Sequence, residues 1–544
     1  MDRPRDVTLT NAFLWAFRPL QCFRGGMRVR EGRIARIFRH GEEGDPGGTV
    51  IDLMGMHVIP GLMDAHRHFF VTAFMSMHGD ASTWKSKEDA LDAIDQACRS
   101  NRDPGGWVLF SRMDHTAWRV PDPPSLREID AVAGKTPVLV ADTTLHRGLV
   151  SSQALLRSGV DPQALRVKGD LDTLRDGSPR GTVWEDAFGR VASAFYRETF
   201  SPLGREEKRN VVLREARRCL AMGLTHVHDP GVPSDVQELL EDVQGYTPLK
   251  ISWSVTAHES MFAPPGPRDL EHALQSGHAP KSVKFFLDGA HRTAASMPLA
   301  GAVRAGLRAA RDCLNERSLW PMRLLLEQKI VVKGTRVVMP YLRFPDTAEL
   351  VEKARPFAEK GYRLVMHALG NVAARQAADV VRRLRPAGAS VEHLLIMGED
   401  DLDDFAGCGA TASLQPGFIP SYARTIEKKG ALPTLKAFPL RSLLDRGVKV
   451  CVSSDGPCGV DDPLHNIRRA VDRKKDDGTV FDPGERISAQ EALTAGTEGA
   501  AHSLGIDWQG LVEGVPATFC VVDGDPFQDT SKVVQTWIDG VQAR

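Results

Sequence analysis

The stretch Pro60-Gly61-Leu62-Met63-Asp64-Ala65-His66-Arg67-His68 decides the reading of this chain. It closes an apolar run that begins at His57. In a strand, residues two apart point to the same side, so His66 and His68 offer two imidazoles to one point. Such a pair suits Zn²⁺ or a similar divalent ion. A bare His-x-His is a weak signal. The Pro-Gly-x-x-Asp frame ahead of it, following a β-rich opening segment, makes it a strong one.

Upstream, Asp6–Thr10, Gly26–Arg30, Gly32–Ile37 and Thr49–Leu53 alternate polar and apolar residues between Gly and Pro punctuation, as short half-buried strands do. The far end is alike, with Thr518–Val522, a turn at Asp523–Pro526, and Val533–Ile538. Neither end buries much core alone. Residues 1–58 and 508–544 are therefore expected to form one small β-sandwich. Between them, apolar runs alternate with helical spacing. The runs include Pro137–Ala141, Leu224–His228, Lys250–Val255, Val283–Leu287, Tyr362–Met366, Ser390–Leu395, Ala410–Leu414 and Val448–Val452. Apolar i, i+3, i+4 spacing predicts helices over 346–359 and 372–384. This alternation predicts an α/β fold, a distorted (β/α)₈ TIM barrel over residues 59–507. That span exceeds the ~250 residues typical of the fold, so it must carry insertions. The largest is placed at about 75–215, where no clean rhythm appears, and is expected to cover the active site.

Functional residues of such barrels gather where the strands end. The first run ends in His66 and His68, a later one in His367, the next in Glu392-His393, and the last in Ser454-Asp455. Lys284 interrupts the apolar run at Val283–Leu287. Any one of these could be a satisfied core group. Five strands delivering ligand-type residues at the same end are hard to explain by packing.

These residues resemble the amidohydrolase superfamily, and within it the amidohydrolase family 3 type, the branch of formamide deformylases and related metal-dependent hydrolases. The resemblance spans almost the whole chain. It includes Val50–His68, His146 with Ser151–Leu155, Gly181–Glu185, Val283–Gly289, His367-Ala-Leu-Gly-Asn371, Val391-Glu-His393, Gln415-Pro416, Ser454-Asp455 and Gly510–Gly514. It implies that His66, His68 and Asp455 hold one divalent ion and that His367 and His393 hold a second. Lys284 matches a position that bridges both ions as a CO₂-derived carbamate, since a free ammonium cannot ligate a cation; the plainer alternative is a lysine paired with Asp288. The ions would be Zn, with Fe, Mn or Ni as alternatives. The implied reaction is hydrolysis of an amide, N-formyl or N-acyl C–N bond, other than a peptide bond, by metal-activated hydroxide, with Asp455 as the proton carrier. A cyclic-amide hydrolase, an aromatic deaminase and a non-catalytic barrel scaffold are the alternatives. Expected substrate contacts are His146, His228, Asp288, His291, Arg292 and Gln415, while Arg67 is expected outside the barrel. One departure stands out: Asn371 replaces an expected aspartate.

Composition narrows the partners. The chain has 544 residues, with 69 Lys plus Arg against 70 Asp plus Glu, so it offers no basic footprint for nucleic acid. No run reaches the ~18 apolar residues of a membrane span. The start lacks a signal-peptide pattern, and eight scattered Cys include no Cys-x-x-Cys pair. A cytoplasmic protein acting on a small molecule is expected, and family habit implies a homodimer. By length alone three or four domains would be expected.

Overall fold

The computed structural model describes residues 6–42, 44, 48–101, 106–118, 120–161, 170–173, 178–256, 281–290, 292–317, 322, 330–428 and 435–544. Eight parallel strands form the central sheet, in sequence order Leu62–Asp64, Leu224–Val232, Lys250–Thr256, Ser282–Phe286, Arg363–Ala368, Ala389–His393, Thr411–Leu414 and Val450–Val452. Each pairs with the next, as a (β/α)₈ barrel requires. The first and eighth strands meet through their ends. Asp64 accepts from the Ser454 amide at 3.0 Å and from its hydroxyl at 2.5 Å. The Asp455 amide donates to the His66 carbonyl at 2.8 Å, and the His68 amide to the Gly456 carbonyl at 2.9 Å. The expected helices run Thr347–Glu359, capped by Asp346, and Asn371–Leu384.

Both chain ends share one sheet. Val541–Gln542, Lys532–Ile538 and Phe519–Asp523 continue into His57–Pro60, Val7–Ala16, Gln21–Arg30 and Arg33–Arg39, and Thr49–Asp52 pairs alongside Val7–Ala16. Leu9, Leu14, Met27, Val58, Phe519 and Trp537 make its buried core.

Between the first and second barrel strands lies a separate six-stranded sheet reaching from Gly79–Asp80 to Pro179–Trp184. It mixes parallel and antiparallel pairs, which is why no βα rhythm shows there. The run at Pro137–Ala141 belongs to this sheet, as Val138–Asp142, and not to the barrel. A short apolar run reads alike in either setting. A further insertion, after the fourth barrel strand, escaped the sequence. It holds the three-stranded sheet of Ala294–Pro298, Val331–Lys333 and Arg336–Pro340, and the helix Leu299–Glu316. No helix among the described residues is long and apolar enough to cross a membrane.

Candidate metal centre

The ends of the first and last barrel strands converge. Ligand atoms of His66, His68 and Asp455 all lie within 4.8 Å of one another, and all three residues are buried. Asp455 Oδ1 sits 3.1 Å from His66 Nε2 and 3.3 Å from His68 Nε2. Asp455 has φ 55° and His393 has φ 77°, a left-handed backbone that non-glycine residues adopt at a cost. At the sixth strand this has a clear use. Neighbours in a strand face opposite ways. The turn at His393 breaks that alternation, so Glu392 and His393 both reach the site. The His393 ring centroid lies 5.0 Å from that of His66 and 4.5 Å from that of His367.

Protein groups orient each imidazole. Glu392 Oε2 lies 2.6 Å from His66 Nδ1, leaving Nε2 to face Asp455. Ser390 donates to the other Glu392 oxygen at 2.6 Å. His393 Nδ1 meets Gln415 Oε1 at 2.9 Å, and Gln415 in turn donates to Ser453 at 2.9 Å. Asp288 accepts from the amides of Ala294, Leu369 and Gly370 at 3.0, 2.9 and 3.0 Å, fixing the turn just after His367. Gly370 is required there, because a Cβ would lie 2.1 Å from the Ala294 carbonyl oxygen.

Charge at the centre is arranged for a cation. Burial and Lys284 oppose protonation of His66, yet Glu392 and Asp455 outweigh them and lift its pKa to about 9. Burial resists the charge on Glu392, but His66 and Lys284 bring it down to about 2. Burial drives His393 to about 3 and His367 well below the usual range, the neutral state a ligand needs. Burial also lowers Lys284 to about 8, against the pull of Glu392, Asp455 and Asp229. The Lys284 amine is fully buried, 5.3 Å from the Phe286 ring centroid, and makes no hydrogen bond. His367 Nε2 likewise has no hydrogen-bond partner. Buried polar atoms without partners call for an explanation. A bound ion supplies one, and the His, carboxylate and easily neutralised lysine set fits it.

The expected substrate contacts fall in different places. His146 lines the cavity above the ligands, held by Glu185 at 2.7 Å, with its ring 5.7 Å from that of His367. His228 meets Ser252 and Ser254 with its two nitrogens, each at 2.9 Å. Asp288 and Gln415 serve the ligand loops as above. Arg292 pairs with Asp170 from the first insertion. His291 lies outside the described residues. Arg67 points away from the ligands as alternation requires, but it is fully buried, 2.6 Å from Glu215 and 2.9 Å from Asp461. Asn371 is not a deficient aspartate. Its Oδ1 accepts from the Ser296 amide at 2.9 Å, and its Nδ2 donates to the Ser296 carbonyl at 3.0 Å and to Asp401 at 2.7 Å. The residue that sequence reasoning named at a strand end but gave no role is Glu392. The only available sign was its place two residues after Ser390, on the inward face.

A parallel barrel with such a centre at its strand ends is the architecture of a barrel hydrolase. The comparisons make the class specific: the chain belongs to the amidohydrolase family, whose model matches residues 49–543. It is 27% identical to N-substituted formamide deformylase of Arthrobacter pascens, over 99% of this chain and 98% of that one. It is 25% identical to the protein LONG AFTER FAR-RED 3 of Arabidopsis thaliana, over 99% and 91%. Among solved structures, an uncharacterized metal-dependent hydrolase from Pyrococcus horikoshii superposes with a TM-score of 0.69 at 19% identity, covering 96% of this chain and 98% of that one.

Proposed function

We propose that this chain is a metal-dependent hydrolase that cleaves a C–N bond, N-formyl or N-acyl, in a small-molecule amide. The observation that carries the reading is the buried convergence of His66, His68 and Asp455. His66, His68 and Asp455 would hold one divalent ion, and His367, His393 and a carbamate on Lys284 would complete a second position. Bound there, a divalent ion lowers the pKa of water and polarises a carbonyl.

The protein groups do the rest. Glu392 and Gln415 keep Nε2 of His66 and of His393 facing the centre, because each occupies the other ring nitrogen. Asp455 is held well below the usual carboxylate range: burial opposes its charge, but His66, His68 and His393 more than compensate. It is therefore ionised at neutral pH, the state in which it would accept a proton from the attacking water and pass it to the departing nitrogen. His146, on the cavity wall beside His367, would contact the substrate. The relative named as a formamide deformylase supports the bond class, and the filled ligand positions support the metal.

The test is elemental analysis of the purified protein with a panel of N-formyl, N-acyl and cyclic amides, before and after chelation. Turnover of a linear amide that chelation stops and metal restores is expected. A protein free of transition metal, with activity indifferent to chelator, would overturn the reading.

A further inference from the structure

The cavity over the ligands is about 480 Å³, within the ~300–1,000 Å³ range of pockets that take drug-sized ligands. A formyl or acetyl amide alone leaves most of it empty. Its walls are unlike. The first insertion supplies a polar wall with Asp114, Thr116, Asp142, Thr144, His146 and Arg147, in which Asp114 accepts from the amide and hydroxyl of Thr116. Asp142 and Arg147 are buried and paired at 2.9 Å, so they neutralise each other rather than wait for a substrate charge.

The other wall comes from the second insertion and from the segments after the sixth and seventh strands. Met297, Met339, Ala305, Ile396, Phe418 and Ile426 line it. Met297, Met339 and Ile396 belong to one apolar cluster with Val337 and Leu435, and Phe418 and Ile426 to the next, joined through Ile396. The wall is thus packed from behind and continuous. Among the described residues on this side of the cavity none is charged. A charged group placed there would lose its water and find no opposite charge among the described residues of that wall. Methionine side chains adapt to the shape of an apolar guest.

We propose that the substrate carries a long or bulky uncharged apolar group, alkyl or aryl, beyond the scissile amide, and that this group lies on the wall of Met297, Met339, Ala305, Ile396 and Phe418. The proposal rests on the amide-hydrolase reading and says which amides are taken.

The experiment uses the full-length, metal-loaded enzyme. One series is N-formyl n-alkylamines from ethyl to octyl, with N-alkanoyl methylamines as its mirror image, so that the apolar group is placed on the amine or the acyl side. In one series kcat/KM should rise about fourfold per methylene, the gain from burying one CH₂. A terminal carboxylate at matched length should lower it at least hundredfold. Met339→Glu should erase the preference for octyl over ethyl. In parallel, n-alkyl hydroxamates, which need only bind, should tighten by a similar factor per methylene in calorimetry. If hydroxamates tighten while no amide is cleaved, the apolar wall stands and the amide reading fails. If amides are cleaved with a flat length profile, the wall proposal fails and the amide reading stands. Neither cleavage nor tightening overturns both.

Discussion

Replacing Glu392 by Gln isolates what the buried carboxylate does for His66. The two atoms lie 2.6 Å apart, and both side chains are 1% exposed. Gln keeps the shape and can still accept the Nδ1 proton, so the charge is lost and the Ser390 hydroxyl must turn from donor to acceptor. A hydrogen bond to a charged group contributes about 1.5–3 kcal/mol, against about 0.5–1.5 kcal/mol for a neutral one. Outer-shell partners of metal-bound imidazoles typically change metal affinity about tenfold to hundredfold, or about 1.4–2.7 kcal/mol. The sign needs care, because the same carboxylate also stabilises the proton on His66, whose pKa is about 9. Below that pH a metal must displace the proton, and Gln makes the proton easier to remove. Part of the loss is therefore masked at pH 7 and emerges as pH approaches 9. Competition with a chromophoric chelator for Zn²⁺ at pH 7 and pH 9 reads this directly. The expected result is a wild-type to variant affinity ratio of about 10–100 at pH 9 that shrinks at pH 7. A ratio within twofold of unity at both pH values would refute the argument, and Glu392→Ala with the same outcome would place Glu392 outside the metal's reach.

Four further outcomes follow from named contacts. Asp455→Asn should abolish turnover while at least one metal stays bound, measured by kinetics and elemental analysis; wild-type-like activity sinks the proton-carrier role. Arg67→Met leaves the buried Glu215 carboxylate with Arg218 and the Cys219 thiol beside it, so denaturant unfolding should show a loss of about 3–5 kcal/mol, and a change below about 1 kcal/mol contradicts it. Asn371→Asp removes the donor that meets Ser296 and Asp401 and sets two carboxylates together. The new acid will have a raised folded pKa, so its destabilisation should be small at low pH and grow as pH rises, by about 2–5 kcal/mol at pH 8; a pH-independent effect in melts at pH 5 and 8 rules this out. Lys284 must be neutral to take up CO₂. With its pKa at about 8, reconstitution at fixed dissolved CO₂ and limiting metal should slow about tenfold for each pH unit below 8, and the loaded protein should carry a +44 Da adduct at Lys284; equal rates at pH 6 and 8 at the same CO₂ concentration argue against a carbamate.

The proposed ligand set can be read from the sequence because several of the barrel strands are short apolar runs with a polar residue of metal-binding type at or just past their ends. His66, His68, His367, His393 and Asp455 stand out against Leu, Val and Ala. Glu392 did not stand out, because its task depends on the left-handed turn at His393, and a sequence does not display a dihedral angle. Asp288 is expected to touch substrate, and offers the plainer alternative partner for Lys284, because both are charged and close in sequence. In the fold it answers three amides from two other segments instead. Asn371 looked like a lost carboxylate until Ser296, from the unseen second insertion, supplied the peptide group it binds. The apolar cavity wall was hidden for a different reason. Met297, Val337 and Phe418 have the composition of core, and only the tertiary arrangement places them on the cavity wall.

The junction of the first and eighth strands also sets an order of events during synthesis. Asp64 and Ser454 are 390 positions apart, and the His pair and Asp455 flank that junction. At about 5–20 residues per second, His66 and His68 leave the ribosome roughly 20–80 s before their carboxylate partner is made. Until then the two imidazoles are an open bidentate chelator with no barrel around them. A three-residue centre therefore exists only once the last strand closes the ring, and what precedes it is a pair of imidazoles alone.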